Sequence, residues 1–411
     1  MSVKGVYSAI VDVGMFGNEA TGSLVVIQGT DAQRGPWEHQ AFVPDPLPDL
    51  MPDLSPSTYL EVANARAALA SLDSTARQLP NPTLLRRPTL QREAQSTSAL
   101  EGTYAPLSDV LTADEDAAPP GSNMREILNY VGMANSAFAW VGDGRPVSVS
   151  LLEDLQRRLV TGTPSDGRHS GKIRDIQVVI GRRSDVHPSE LPVKAAQFIP
   201  SPPGDDLEAN VRDLVAWMRA DHLGVIDPVV AAAMTHYQFE TLHPFHDGNG
   251  RIGRLLVVLQ LYTQKVLSEP TLTVSPWFEA RRTDYYDRLL AVSTAGEWDA
   301  FIHFFAMGIR ESAALTERQM MALVGVQEEL KEALRASSLR ADTAHSLVDY
   351  AVANPSFTVR GVERDLKISY GRANKLVGQL VDLGILRSAN PRSYNRRFLA
   401  PRVMQVLLDS Q

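Results

Sequence analysis

The chain has 411 residues, 44% of them hydrophobic, no cysteine and a formal net charge of −8. At ~150 residues per domain this length predicts two or three domains, and the acidic balance argues against nucleic acid as a partner of the whole chain. Disulfides, thiol catalysis and cysteine-ligated metal sites are excluded. With no run of ~20 apolar residues and no secretory pattern at Met1-Ser-Val-Lys, a cytoplasmic protein without a membrane span is expected.

Residues 1–54 read as an irregular N-terminal extension with strands over Val6–Val13 and Ser23–Gln28, and composition assigns no role to the first forty residues. A proline-rich connector from Val43 to Pro56 leads into a nearly all-helical stretch from Thr58 to about Lys331. Gln91 to Glu101 predicts a helix of about three turns stopped by Gly102. Thr97 and Glu101, four apart, share a face of it. After a loop over Thr112–Gly121 the helices resume, and Gly171 to Gly181 is a β-branched run that suits a short hairpin.

Val229–Leu242 is apolar with helical spacing, and so is Leu255–Val266. Between them runs His243-Pro-Phe-His-Asp-Gly-Asn-Gly-Arg-Ile-Gly-Arg254, a polar loop whose second half opens a helix. Gly248 and Gly250 let the backbone bring its N–H groups against an anion, and the helix N-terminus adds partial positive charge. Arg251 and Arg254, three apart, can fork onto phosphate oxygens together. Asp247 suits Mg²⁺, which takes one or two carboxylates plus substrate phosphates. His243, where Pro244 should end the helix, suits proton transfer near pH 7, and Phe245 is the expected apolar anchor.

Trp277 to Leu289 is aromatic and helical, and Tyr285 and Tyr286 are open to core packing or to walling a ligand ring. Ala313–Ala336 predicts a helix leaving the core. From Ala341 to Arg402 ten basic residues stand against five acidic ones, opposite in sign to the whole. There a helix over Ala344–Ala353, a strand-like entry with a second helix, a third helix capped by Ser369 and strands around Asn390-Pro391 follow one another.

The His243–Arg254 loop resembles the signature of the Fic (filamentation induced by cAMP) family, His-Pro-Phe-x-(Asp/Glu)-Gly-Asn-Gly-Arg-x-x-Arg, at every fixed position. The resemblance implies a mainly α fold: a Fic-type helical core with a small β-hairpin flap, followed by the C-terminal segment, which looks like a winged helix-turn-helix. It implies transfer of AMP from ATP to a Ser, Thr or Tyr hydroxyl of a target protein, or of the chain itself. By it His243 would be the general base and Asp247 would hold Mg²⁺. Gly248, Asn249, Gly250 and Arg251 would cradle phosphates, Arg254 would reach the γ-phosphate, and Tyr285 or Tyr286 would wall the adenine. Thr97-x-x-x-Glu101-Gly102 resembles the family's inhibitory motif, so that Glu101 would pair with Arg254. Gln177, Val178, Val179 and Ile180 would dock the target by strand addition, and a homodimer is a further expectation.

Five segments are thus expected: an extension (1–54), a helical region carrying the inhibitory helix at 91–102 (55–125), a catalytic core (126–312), a connecting helix (313–340) and a winged helix (341–411). Arg372, Asn374, Lys375 and Gln379 are candidates for base edges of DNA, and Arg392, Arg396 and Arg397 for its phosphates. Protein contacts through the same module remain the alternative. Two other readings stay open: the same fold removing AMP or transferring another nucleotide, and a DNA-binding regulator with a nucleotide-sensing core.

Overall fold

A computed structural model describes residues 13–78, 83–113, 121–222, 224–337, 339, 342–389 and 396–409. The expected strand over Val6–Val13 (save Val13 itself), residues 114–120 of the expected loop, the Asn390-Pro391 turn and Arg392 lie outside the described residues.

The chain enters through a 3-10 turn (Val13–Met15) and a β-hairpin, β1 (Gly22–Asp31) with β2 (Gly35–Pro44), in antiparallel register from Gly22↔Pro44 to Asp31↔Gly35. Asp31 Oδ1 makes the turn by accepting from the N–H groups of Gln33 and Arg34, each at 2.9 Å. β2, a strand that its sequence did not announce, has Trp37 lying across Gly29, where any Cβ would collide with the indole.

The helical body follows: α1 (Pro56–Gln78), α2 (Thr83–Leu100), α3 (Leu107–Thr112), α4 (Ser122–Gly142) and α5 (Val149–Val160). After the flap region come α6 (Pro192–Ala195), α7 (Asp205–Arg219), α8 (Pro228–Leu242), α9 (Asn249–Thr263), α10 (Ser275–Ala280), α11 (Arg282–Ala295) and α12 (Trp298–Ala336). The expected connecting helix over 313–336 is instead the second half of α12, 39 residues without a break. It does not leave the core: Ala313, Met320, Leu323 and Leu334 are buried along it, because α1 lies against its middle and the C-terminal elements against its end. Ser71 and Thr75 donate to Glu317 at 2.8 and 2.9 Å, and Arg310 Nε meets Glu61 at 2.5 Å along the same seam.

The chain closes with α13 (Asp342–Ala353), β3 (Ser356–Thr358), α14 (Val359–Leu366), α15 (Tyr370–Asp382), β4 (Arg387–Ser388), β5 (Arg397–Leu399) and α16 (Pro401–Asp409). The strands form one antiparallel sheet in the order β3-β5-β4. Ser369 caps α15 as its sequence predicts, accepting from the Arg372 N–H at 3.4 Å. Leu347, Val348 and Leu407 belong to the same apolar cluster as Leu69 and Leu334. Arg92 of α2 donates to the Leu407 carbonyl at 3.3 Å, so the inhibitory-helix candidate is flanked by the C-terminal elements as well as by α4 and α10.

The flap differs from its expectation. Residues 171–181 do not fold back on themselves. Ile180 forms an antiparallel bridge with Phe198, the two exchanging N–H···O bonds of 2.9 and 3.0 Å. The run cannot close on itself because its first half is tied to the core: the Gly171 N–H donates to Gln156 at 2.5 Å and the Arg174 N–H to the Pro244 carbonyl at 2.9 Å. The Phe42 N–H of β2 donates to the Ile199 carbonyl at 2.9 Å, so the N-terminal hairpin backs the flap. A second small cluster of Ala41, Leu191, Val193, Ala196 and Ile199, with Trp37 and Val179 against it, cements the two. No helix among the described residues is long and apolar enough to cross a membrane.

Because Leu69 is fully buried on α1 beside α12, Leu69→Ala should cost about 2–5 kcal/mol. Urea unfolding measures this, and a loss below about 1 kcal/mol would mean the α1–α12 seam does not carry the fold.

Candidate active site

Asp227 caps α8 by accepting from the Val229 N–H at 2.8 Å, and Pro228 supplies the first helical position. At its other end His243 takes the left-handed conformation (φ 50°, ψ 59°), uncommon for a residue with a side chain, and turns the chain out of the helix. Phe245 is fully buried, the anchor its sequence predicts. Asn249 Oδ1 accepts from the Phe245 N–H and its Nδ2 donates to the Phe245 carbonyl, both at 2.8 Å. The Asn249 side chain thus braces the loop through both its oxygen and its nitrogen. Gly248 starts α9 with φ 90°, and a Cβ there would stand 2.7 Å from Leu159.

On the first turns of α9 both arginines are held by carboxylates. Arg251, 2% exposed, donates to Glu126 at 2.9 Å and to Asp247 at 3.0 Å. Arg254 has no exposed surface at all. Its Nε donates to the Thr97 hydroxyl at 2.7 Å, and its Nη2 donates to the Thr97 carbonyl at 3.1 Å and to Glu101 Oε1 at 2.5 Å. Burial would lower the pKa of this guanidinium, but Glu101, Tyr285, Tyr286 and Glu240 around it raise it well above the ordinary value.

Glu101 reaches that position through the way α2 ends. The Thr103 N–H donates to the Ser98 carbonyl at 2.9 Å and the Gly102 N–H to Ala99 at 3.0 Å, with Gly102 at φ 87°. This is the Schellman stop that the glycine predicts, although the helix begins at Thr83, eight residues before the expected start. Glu101 is thereby turned over the first turn of α9. A Cβ on Gly250 would collide with Glu101 Oε1 and stand 3.0 Å from Arg254 Nη2. The carboxylate thus lies where a helix N-terminus favours an anion.

The groups able to move a proton are set apart by their surroundings. Desolvation lowers the His243 pKa to about 4, Arg174 contributing in the same direction, while the Glu240 carbonyl, Glu101 and Asp247 oppose it. His243 Nδ1 faces the Glu240 carbonyl at 3.3 Å, which leaves Nε2 with its lone pair. Burial pushes the Glu240 carboxyl up to about 8 against the pull of Arg254. Asp247 is held below its usual value: burial acts upward, but Arg251 prevails. Among the described residues no group of three or more His, Cys, Asp or Glu is arranged to hold a metal.

Other expected site residues are placed less favourably. Tyr285 is fully buried, its hydroxyl 2.6 Å from His236 Nε2 and its ring against Phe278, so it belongs to the core and offers no face to a ligand. Tyr286 is half-buried, with its hydroxyl 3.5 Å from the Leu100 carbonyl. In the flap, Gln177 Nε2 donates to the Val178 and Pro200 carbonyls and Val179 faces the small apolar cluster. At the C-terminal module Arg397 donates to Ser356 and to the Ala113 carbonyl, tying β5 to β3 and to the end of α3. Arg396 donates to Asn374 at 2.8 Å, Arg372 donates to Thr343, and Arg372 and Lys375 are exposed on α15 with Gln379 partly so. Sequence reasoning missed Glu126, Glu240 and Arg174. Arg174 alone carried a signal, an arginine inside the flap run.

Thr97→Val would leave the buried Arg254 Nε without its acceptor, at a cost of about 1–3 kcal/mol. Denaturant titration of that variant checks the contact; an unchanged midpoint would remove it from the account.

Residues 59–139 match the model of the family described as Fic/DOC family N-terminal, and residues 146–261 that of the Fic/DOC family. The chain is 28% identical over 244 residues to protein adenylyltransferase fic-1 of Caenorhabditis elegans, an alignment covering 56% of this chain and 41% of the relative. It therefore spans about two fifths of that relative's length. A crystal structure of a Fic family protein from Desulfovibrio desulfuricans aligns with 85% of this chain and 97% of its own, at a TM-score of 0.52 and 22% identity. Fic-1 of C. elegans aligns with 65% and 73% at a TM-score of 0.50 and 21% identity. Two segments of the chain, which include Thr97, Glu101 and the whole His243–Arg254 loop, are thus Fic N-terminal and Fic domains of the Fic/DOC family.

Proposed function

We propose that the chain transfers AMP from ATP to a protein hydroxyl, and that Glu101 holds this activity off. The observation that carries the proposal is the Glu101–Arg254 pair at 2.5 Å beside the neutral imidazole of His243. In the reaction His243 Nε2 accepts the hydroxyl proton of a Ser, Thr or Tyr side chain, and that oxygen attacks the α-phosphorus. The bond to the β-phosphate bridging oxygen breaks and diphosphate leaves. A reaction of this type asks for positioning and charge neutralisation more than for covalent help from the protein. The N–H groups at Gly248, Asn249 and Gly250 and the cation of Arg251 face the phosphates, and Arg254 takes the γ-phosphate once Glu101 is displaced. Asp247 lies beside Arg251 with its carboxylate a third exposed, which fits Mg²⁺ held mainly by phosphate and water. The metal would add neutralising charge at the phosphates. While Glu101 occupies Arg254, the triphosphate has no cation for its end and the α-phosphorus is not presented to the incoming oxygen.

The curated relatives named protein adenylyltransferase support this reading. The target is another protein or the chain itself, with the flap edge around Ile180 available for strand addition. A second partner rests on one observation: α15 exposes Arg372 and Lys375 on a module whose charge is opposite to that of the chain. DNA is the partner such a face suits. A gel shift with the intact protein should then weaken steeply between 50 and 200 mM salt; binding indifferent to salt would point to protein contacts instead.

With labelled ATP and Mg²⁺, Glu101→Gly should raise AMP incorporation about tenfold or more, as expected if about 1.4 kcal/mol of interaction is redirected to the transition state. His243→Ala in that background should lower it by about 10²–10⁴. A 5′-AMP adduct in the mass spectrum identifies the product; an adduct of another nucleotide, or removal of AMP, would select one of the other readings. Because burial holds His243 near 4, its ring resonances should not move between pH 7.5 and 5.5 and should titrate only below that. A midpoint near 6.5 would show that burial does not depress this imidazole.

A further inference from the structure

Arg174 stands at the root of the flap, 2% exposed, and every hydrogen bond of its guanidinium goes to a backbone carbonyl. Nε donates to His243 O at 2.8 Å, Nη2 donates to Leu242 O at 3.3 Å and to Ser201 O, and Nη1 donates to Ile176 O at 3.3 Å. Its own N–H donates to Pro244 O at 2.9 Å. Burial brings its pKa down to about 10, and no carboxylate enters to oppose that. A buried cation without a carboxylate is an expensive arrangement, so the acceptors it has found need a reason.

They form a pattern. Leu242 O and His243 O lie at the C-terminal end of α8, where helix carbonyls have no partner and the helix dipole is negative. Ile176 and Ser201 lie where the two arms of the flap leave the body, on either side of the Ile180↔Phe198 bridge. The same guanidinium therefore touches the backbone of the histidine and both ends of the flap. A lysine, with one ammonium in place of a planar fork, cannot reach all four carbonyls.

We propose that Arg174 is a positioning residue, a single cation that holds the His243 backbone in its left-handed turn and locks both roots of the flap to that histidine. The assignment rests on His243 being the general base. It makes the flap and the base one unit: a target strand added along the flap is placed against the imidazole because both are registered on the same guanidinium. The charged groups facing the imidazole are Arg174 from the flap root, Glu101 from the end of α2 and Asp247 from its own loop. Arg174 is the only cation among them.

The test compares Arg174→Lys and Arg174→Gln in the full chain, with His243 followed by NMR titration and the Ile180 and Phe198 amides by hydrogen exchange. Neither measurement depends on AMP transfer, so the assignment can survive a different reaction at this site. Arg174→Lys keeps the charge and loses the fork: exchange at Ile180 and Phe198 should speed up tenfold or more while His243 titrates near its native midpoint. Arg174→Gln loses both, so exchange should speed up and the His243 midpoint should also rise. In the Glu101→Gly background Arg174→Lys should lower kcat more than it raises the KM for ATP. If both amides exchange at the native rate in Arg174→Lys, the proposal is overturned. If Arg174→Gln does not fold, Arg174→Lys carries the decision by the same exchange criterion.

Discussion

A guanidinium with no exposed surface depends on partners from within the protein, and the last turn of α2 answers Nε and Nη2 of Arg254, while Nη1 is left without a hydrogen-bond partner. Two helices and one glycine are bound by that requirement. α9 must present its first turn, α2 must end where Thr97 and Glu101 can reach across, and Gly250 must lack a Cβ so that the carboxylate can settle against the helix N-terminus. An anion-binding place is thus already occupied by an anion from the chain. On the proposed function, a triphosphate would compete with a charge-assisted bond between groups of which one is wholly out of water, where such a bond is strong.

The same burial that makes Arg254 demanding keeps His243 neutral. Desolvation favours the uncharged imidazole, which leaves Nε2 unprotonated while weakening it as a base. Glu240 shows the converse. Its carboxyl is pushed up to about 8 under the same conditions, and its carbonyl orients His243. The two residues at the end of α8 hold opposite protonation preferences because one is a base and the other an acid placed in the same dry setting.

Local features were largely readable. Gly102 stops α2, Ser369 caps α15, Phe245 anchors the loop and the two helices around it are where apolar spacing puts them. Each depends on residues within a turn or two. The failures share the opposite property. β2 pairs with β1, but what gives the hairpin a place is the flap, more than 150 residues along, which Phe42 meets at Ile199. The run 171–181 has the composition of a hairpin, yet its partner is Phe198, because Gln156 and Pro244 claim its first half. Tyr285 and Tyr286 are adjacent and alike in sequence; only the packing of α11 against Phe278 and His236 sends one into the core.

By itself the sequence determined a twelve-residue loop chemically suited to phosphates, the helices that hold it, and a glutamate at the end of another helix. Local spacing and capping suffice for these, since they follow from 3.6-residue periodicity and from backbone groups left open at helix ends. Tertiary structure brought Glu101 and Arg254, 153 residues apart, into the bond that the resemblance implied, and it alone decided that the Asn249 side chain braces Phe245 and that Arg174 bonds the carbonyls of His243, Ile176 and Ser201. Those outcomes depend on which buried polar groups find partners, and a buried donor takes its acceptor from whatever segment the fold brings within 3 Å, at any separation along the chain.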